Sequence, residues 1–177
     1  MIQRLRVLSV LLTGILLMSN FALAESQLVD IESIRSLHIR NLTIQAHQVF
    51  TGGQPSAEQF IALSELGIKH VVNLRPQQEQ HWNEAELLNS LGIQYHFIPV
   101  LGAQGVTSAN AKMLSDILSS LNDEPVLLHC ASGNRVGALI ALSSKANGLD
   151  AEQSISKGKE WGLTSLEQFV RNKINTD

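Results

Sequence analysis

The chain of 177 residues contains a single cysteine, Cys130. One thiol cannot make an internal disulfide, so no disulfide framework supports this fold. Cys130 is then either a small buried hydrophobe or a reactive thiol. Basic runs are also missing. Lys and Arg number 13 against 16 Asp and Glu, for a net charge of −3. That balance argues against nucleic acid and anionic membrane surfaces as partners. His38, His47, His70, His81 and His96 include no pair one helical turn apart, so no metal site is expected. There is no internal repeat, low-complexity run or domain linker, which points to one domain. The apolar run from Val7 to Met18 is too short to span a bilayer comfortably.

That run has the features of a secretory signal instead. Arg4 and Arg6 precede it, and Ala22-Leu23-Ala24 has the small-x-small pattern of a cleavage site. Cleavage after Ala24 is expected, leaving residues 25–177 as one domain in the periplasm or outside the cell, with no stable membrane association. An uncleaved anchor is the alternative.

The rest alternates strand-like and helix-like segments. Ser26 to Arg35 reads as a helix or a loose lead-in, and Leu37 to Ile44 and Gln48 to Phe50 as short strands. Ser56 with Gln59 forms a capping box for a helix that stops at Gly67. His70 to Leu74 is a buried strand broken by Arg75-Pro76. Trp82 to Leu91 has helical spacing, and Gln94 to Val100 is the next strand. Ser108 caps a further helix, and Pro125 opens the strand that leads to Cys130. Arg135 to Ala146 is a helix of small and apolar residues. Asp150 with Gln153, and Thr164 with Glu167, cap two last helices. The pattern predicts an α/β fold with a mainly parallel central sheet flanked by helices. The Cys130 loop then lies at the carboxyl end of a strand, where such folds bind ligands.

The run Val126-Leu127-Leu128-His129-Cys130-Ala131-Ser132-Gly133-Asn134-Arg135 carries the chemistry. An apolar strand leads to a thiol, a short loop with a central glycine follows, and an arginine opens a helix. Loop N–H groups and a helix N-terminus favour an anion, and Arg135 can grip an oxyanion with two parallel hydrogen bonds. A thiol so placed loses its proton readily and becomes a nucleophile.

From Gln54 onward the chain resembles the cysteine-dependent phosphatases of the dual-specificity-like branch. The likeness spans about residues 46 to 147. It rests on Gly67 to Arg75, Tyr95-His96-Phe97-Ile98-Pro99-Val100, the helix before Pro125, and His129-Cys130 with Gly133 and Arg135. Gly53-Gln54-Pro55-Ser56 is similar to a run in the bacterial beta-lactamase-hydrolase-like phosphatases. The resemblance implies a phosphoric monoester hydrolase acting on a phosphorylated small molecule or protein. Its nucleophile would be Cys130. Arg135 and the backbone of Ala131, Ser132, Gly133 and Asn134 would bind phosphate, and His129 would order the loop. It implies no metal and no organic cofactor.

Two departures stand out. The family usually has five residues between Cys and Arg, and here there are four. A Ser or Thr usually follows the Arg to help the sulfur leave the phosphoenzyme, and here Val136 does, which slows the second step unless Ser132 substitutes. The four-residue spacing also resembles rhodanese-type sulfurtransferases, so a Cys130 persulfide is one alternative. A catalytically weak protein that binds an anion or a phosphorylated partner is another.

The family draws its general acid from an Asp in the loop after the Ile-Pro-Val strand. Here that loop, Leu101 to Val106, has no carboxylate. Glu79, His81 and Glu84 flank Trp82 in a second loop that could cover the site, and each reads as a solvated surface residue. Trp82 and Trp161 read as core packing. Asn41-Leu42-Thr43 matches a glycosylation sequon of the kind that arises by chance.

Overall fold

The computed structural model describes residues 28–46 and 48–176. The expected signal segment, its cleavage site and His47 lie outside the described residues. Among the described residues no helix is long and apolar enough to cross a membrane.

Five strands form one sheet in the order β1-β2-β5-β3-β4. They are β1 (Thr43–Ile44), β2 (Val49–Gly52), β3 (His70–Asn73), β4 (Gln94–Phe97) and β5 (Val126–His129). Only β1 runs antiparallel to its neighbour; β2, β5, β3 and β4 are parallel. The mainly parallel α/β sheet is as expected. Every residue of β3 and β5 is buried, and both strands are apolar at their centres, at Val71-Val72 and Leu127-Leu128. In register, Gly52 and Asn73 both lie beside His129, so three strand ends converge where the Cys130 loop begins.

Helices cover both faces. The helices are α1 (Ile31–Ser36), α2 (Ala57–Glu65), α3 (Glu84–Ser90), α4 (Ser108–Ser120), α5 (Asn134–Ala146), α6 (Ala151–Glu160) and α7 (Glu167–Thr176). Strand alternation sorts the core. Val126, Leu128 and Cys130 pack with Leu114 of α4, Leu139 of α5, Ile155 of α6 and Val170 of α7. Leu127 faces the other way, with Phe50, Phe60, Val71 and Leu88.

The capping boxes at Ser56 and Asp150 form as read from the sequence. Other expectations fail for identifiable reasons. Leu37 to Leu42 is not a strand, because His38 and Asn41 take positive φ values of 53° and 51° and turn the chain. Thr107, not Ser108, caps α4 through its hydroxyl. Thr164 starts no helix; its backbone N–H is held by Asn134 Oδ1 at 2.8 Å, and α7 begins at Glu167. Trp161 packs on the core, whereas Trp82 is 38% exposed and touches it through Phe60, with the rings tilted at 59° and 6.2 Å between their centres.

The loop-bearing helix α5 meets α6 closely at Gly137 and Gly158. A Cβ on Gly137 would lie 2.2 Å from the backbone N of Leu163 and 2.5 Å from the Gly158 carbonyl oxygen. Neither backbone atom can move aside alone. Gly137→Ala is expected to lower stability by about 1–3 kcal/mol, the usual cost of overpacking, read as a drop in the urea midpoint. An unchanged midpoint would show that the crossing is looser than this.

Candidate active site

β5 delivers His129 and Cys130 to the carboxyl end of the sheet, and α5 starts four residues after Cys130. The loop between them is pinned from several sides. Gly133 takes φ 86°, a left-handed conformation that suits glycine, and donates its N–H to Cys130 Sγ at 3.1 Å. The Cys130 N–H reaches the Gly52 carbonyl at 3.4 Å, and Gly53 bridges Ser132. Asn41 Nδ2 donates to the Ser132 carbonyl at 3.1 Å. Asn41 was legible only as a sequon, and it proves to brace the loop.

The structure gathers His129, Cys130 and the residues from Ala131 to Arg135 in this one loop. The Asn134 side chain turns away from it. Its Oδ1 accepts from the Thr164 and Leu166 N–H groups, and its Nδ2 donates to Ser165 Oγ at 2.8 Å, tying the head of α5 to the segment before α7. Only the Asn134 backbone is left to serve a phosphate. Val136 is fully buried in the core and brings no hydroxyl to the site.

Arg135 is buried, and its fork is occupied. Nη1 donates to Glu79 Oε1 at 2.9 Å and to the Val100 carbonyl at 2.8 Å; Nη2 donates to Glu79 Oε2 at 2.6 Å. Burial alone would favour the neutral form of Arg135. Glu79 and the neighbouring Cys130 sulfur outweigh it and raise its pKa above the ordinary value. The Arg135 hydrogen bonds in turn are the main reason Glu79 lies below the usual carboxylate range. Arg75 anchors the same short 3-10 turn, Gln77–Glu79, by donating to the Glu79 carbonyl and to Gln54 Oε1. Its Nε stands 3.6 Å from Glu79 Oε2.

Glu84 corrects the sequence reading more sharply. It is 2% exposed rather than solvated. Its Oε1 accepts from His129 Nε2 and Asn73 Nδ2, both at 2.9 Å, and its Oε2 from Gln54 Nε2 at 2.5 Å. Burial pushes the Glu84 carboxyl up, but His129, Gln54 and Arg75 together leave it lowered. His129 thus orders the loop through Glu84 and packs edge-on against Phe60, 5.8 Å between ring centres. Its Nδ1 is buried with no hydrogen-bond partner among the described residues. His81 is exposed.

The loop from Leu101 to Gly105 closes on itself through Gly105 N–H to the Leu101 carbonyl, 2.9 Å, and presents no carboxylate. His70 bonds His96 and Glu124 at 3.2 and 2.9 Å, but at the amino end of β3, the other end of the sheet from Cys130. Among the described residues no group of three or more His, Cys, Asp or Glu side chains is placed to hold a metal ion.

Residues 46–146 match the family described as "Polymorphic toxin system, DSP-PTPase phosphatase". Over 101 residues the chain is 35% identical to the beta-lactamase hydrolase-like protein of Xylella fastidiosa strain Temecula1, covering 54% of this chain and 23% of that one. The chain therefore spans about a quarter of that relative's length. The fold is shared with a DUF442 protein of Shewanella putrefaciens CN-32, with TM-score 0.62, 23% identity, and coverage of 82% of this chain and 97% of that one. It is shared as well with the catalytic core of the PP-IP phosphatase SIW14 of S. cerevisiae, with TM-score 0.61, 17% identity, and coverage of 78% and 85%.

The Glu84–His129 pair makes two checkable statements. Glu84→Ala leaves His129 Nε2 buried without its acceptor, so a loss of about 3–5 kcal/mol is expected by urea denaturation. A carboxylate whose pKa is lower folded than unfolded binds fewer protons when folded. Its contribution is present above the unfolded value, about 4.3, and is lost as pH falls through the lower folded value. Wild-type stability should decline below about pH 4.3, and Glu84→Gln should show a shallower acid decline. Identical acid limbs would remove Glu84 from the account.

Proposed function

Because the chain belongs to the DSP-PTPase phosphatase family, we propose that it is a metal-independent hydrolase of phosphate monoesters that works through a cysteinyl-phosphate on Cys130. The observation that carries this reading is one loop that joins a buried thiol at a strand end to an arginine fork at the head of a helix. In the first step the Cys130 thiolate attacks phosphorus, the ester P–O bond breaks, and its electron pair leaves on the ester oxygen. Arg135 grips two non-bridging oxygens with parallel N–H bonds. Backbone N–H groups from Ala131 to Arg135 and the start of α5 meet the developing charge, which is usually the largest catalytic term. In the second step water attacks phosphorus and the sulfur leaves as thiolate. Val136, standing where a hydroxyl would assist that departure, makes this the slower step.

The substrate is a phosphorylated small molecule or protein. The Leu101 to Val106 loop and the turn carrying Glu79 set how deep a phosphoryl group must reach. Export after removal of residues 1–24 would place the activity in the periplasm or outside the cell.

The purified protein is expected to hydrolyse para-nitrophenyl phosphate. Cys130→Ser should abolish turnover, and Arg135→Ala should lower kcat/KM by about 10²–10³-fold, as for loss of an oxyanion donor. An unchanged rate in either variant overturns the mechanism. Sulfur transfer from thiosulfate would establish a persulfide instead, and tungstate bound without turnover would establish an anion-binding protein.

A further inference from the structure

We propose that Glu79 is the general acid and base of this reaction, a carboxylate that holds the Arg135 fork until a phosphoryl group takes its place. The proposal rests on the phosphatase reading above. A leaving alkoxide needs a proton, and the loop after β4 has no carboxylate to give one. Glu84 is committed, buried against His129, Asn73 and Gln54. Glu79 is half-buried, on a short turn, and touches the one side chain that must meet phosphate.

The geometry is that of a substrate mimic. Both Glu79 oxygens take parallel N–H bonds from Arg135, at 2.9 and 2.6 Å, the fork-to-fork arrangement that a phosphate would adopt on the same guanidinium. Two anions cannot share that fork at full strength. A phosphate dianion, with more charge and more acceptor oxygens, displaces the monoanionic carboxylate. The Val100 carbonyl keeps one Arg135 N–H in place during the exchange. The displaced carboxyl stays beside the phosphoryl group, because Arg75 holds the Glu79 main chain by its carbonyl and stands 3.6 Å from its Oε2.

The charged groups facing Glu79 are Arg135 from α5 and Arg75 from the end of β3. Of these Arg135 is the larger cause of its lowered pKa, and Arg75 the smaller. Exchanging the Arg135 contact for a neighbouring dianion reverses the dominant influence, so Glu79 takes a proton from solvent as substrate binds. As the P–O bond breaks, that proton passes to the ester oxygen and the alcohol leaves. The Glu79 carboxylate then accepts a proton from the attacking water as the S–P bond breaks. Orthophosphate is released, the thiolate is restored, and Glu79 gives the proton to solvent and returns to Arg135 as a carboxylate.

The test compares Glu79→Gln with wild type on two esters that differ in leaving group, phenyl phosphate and para-nitrophenyl phosphate. Phenolate needs a proton as it leaves and nitrophenolate hardly does. Glu79→Gln is expected to lower kcat/KM for phenyl phosphate about 100-fold, and for para-nitrophenyl phosphate less than about tenfold. Glu79→Asp, which keeps an acid, should recover part of the phenyl phosphate rate. Orthophosphate should inhibit Glu79→Gln more tightly than wild type, because its internal competitor has lost its charge. Equal losses on both esters, as a purely structural hold on Arg135 would give, overturn the proposal, and so does no loss on either. A wild-type protein inactive on both esters, or activity that survives Cys130→Ser, overturns the phosphatase reading itself and this proposal with it.

Discussion

One buried carboxylate ties the working end of this molecule together. Glu84 accepts from His129 at the end of β5, from Asn73 at the end of β3 and from Gln54 just beyond β2. These three strand ends lie side by side in register, and the Cys130 loop grows from the middle one. A buried ion of this kind is costly unless its acceptor sites are filled. Glu84 meets that condition with side chains from three chain segments that would otherwise be independent. Remove it and His129 Nε2 loses its acceptor, Asn73 and Gln54 each lose one of their hydrogen bonds, and the base of the loop is no longer fixed.

Above that base, the loop is held by main-chain geometry and by a second carboxylate of different character. Gly133 turns the backbone, Asn41 and Gly53 hold Ser132, and Asn134 ties the head of α5 to the segment before α7. Glu79 closes the site from the front by pairing with Arg135. The two glutamates divide the work by environment. Glu84 is sealed among neutral donors and a histidine, so it stays where it is. Glu79 is about one-third exposed on a three-residue turn, so its contact can be exchanged for a stronger anion.

Much of this could be read from the chain because it is local. The buried strands β3 and β5 are short and apolar at their centres, the helices at Ser56 and Asp150 carry complete capping boxes, and the Cys130 loop is contiguous. The misreadings are non-local. Glu84 stands in a polar stretch between Glu79 and Glu86, and its burial depends on His129, 45 residues away. Arg135 meets Glu79 across 56 residues, and Asn41 meets Ser132 across 91. No periodicity carries such pairings. The apparent strand from Leu37 alternates correctly, but the left-handed turns at His38 and Asn41 override the pattern. Thr164 has a capping sequence, yet its N–H is taken by Asn134, thirty residues earlier.

The central claim is that Cys130 carries the phosphoryl group. Its most direct test is acid-quenched single turnover of a radiolabelled aryl phosphate, followed by intact mass and peptide mapping. The account predicts one phosphoryl group per chain, mapped to Cys130, and lengthened in lifetime because Val136 gives the departing sulfur no help. A protein that turns over the ester with no phosphoenzyme at any quench time, or with the phosphoryl group on another residue, would contradict it.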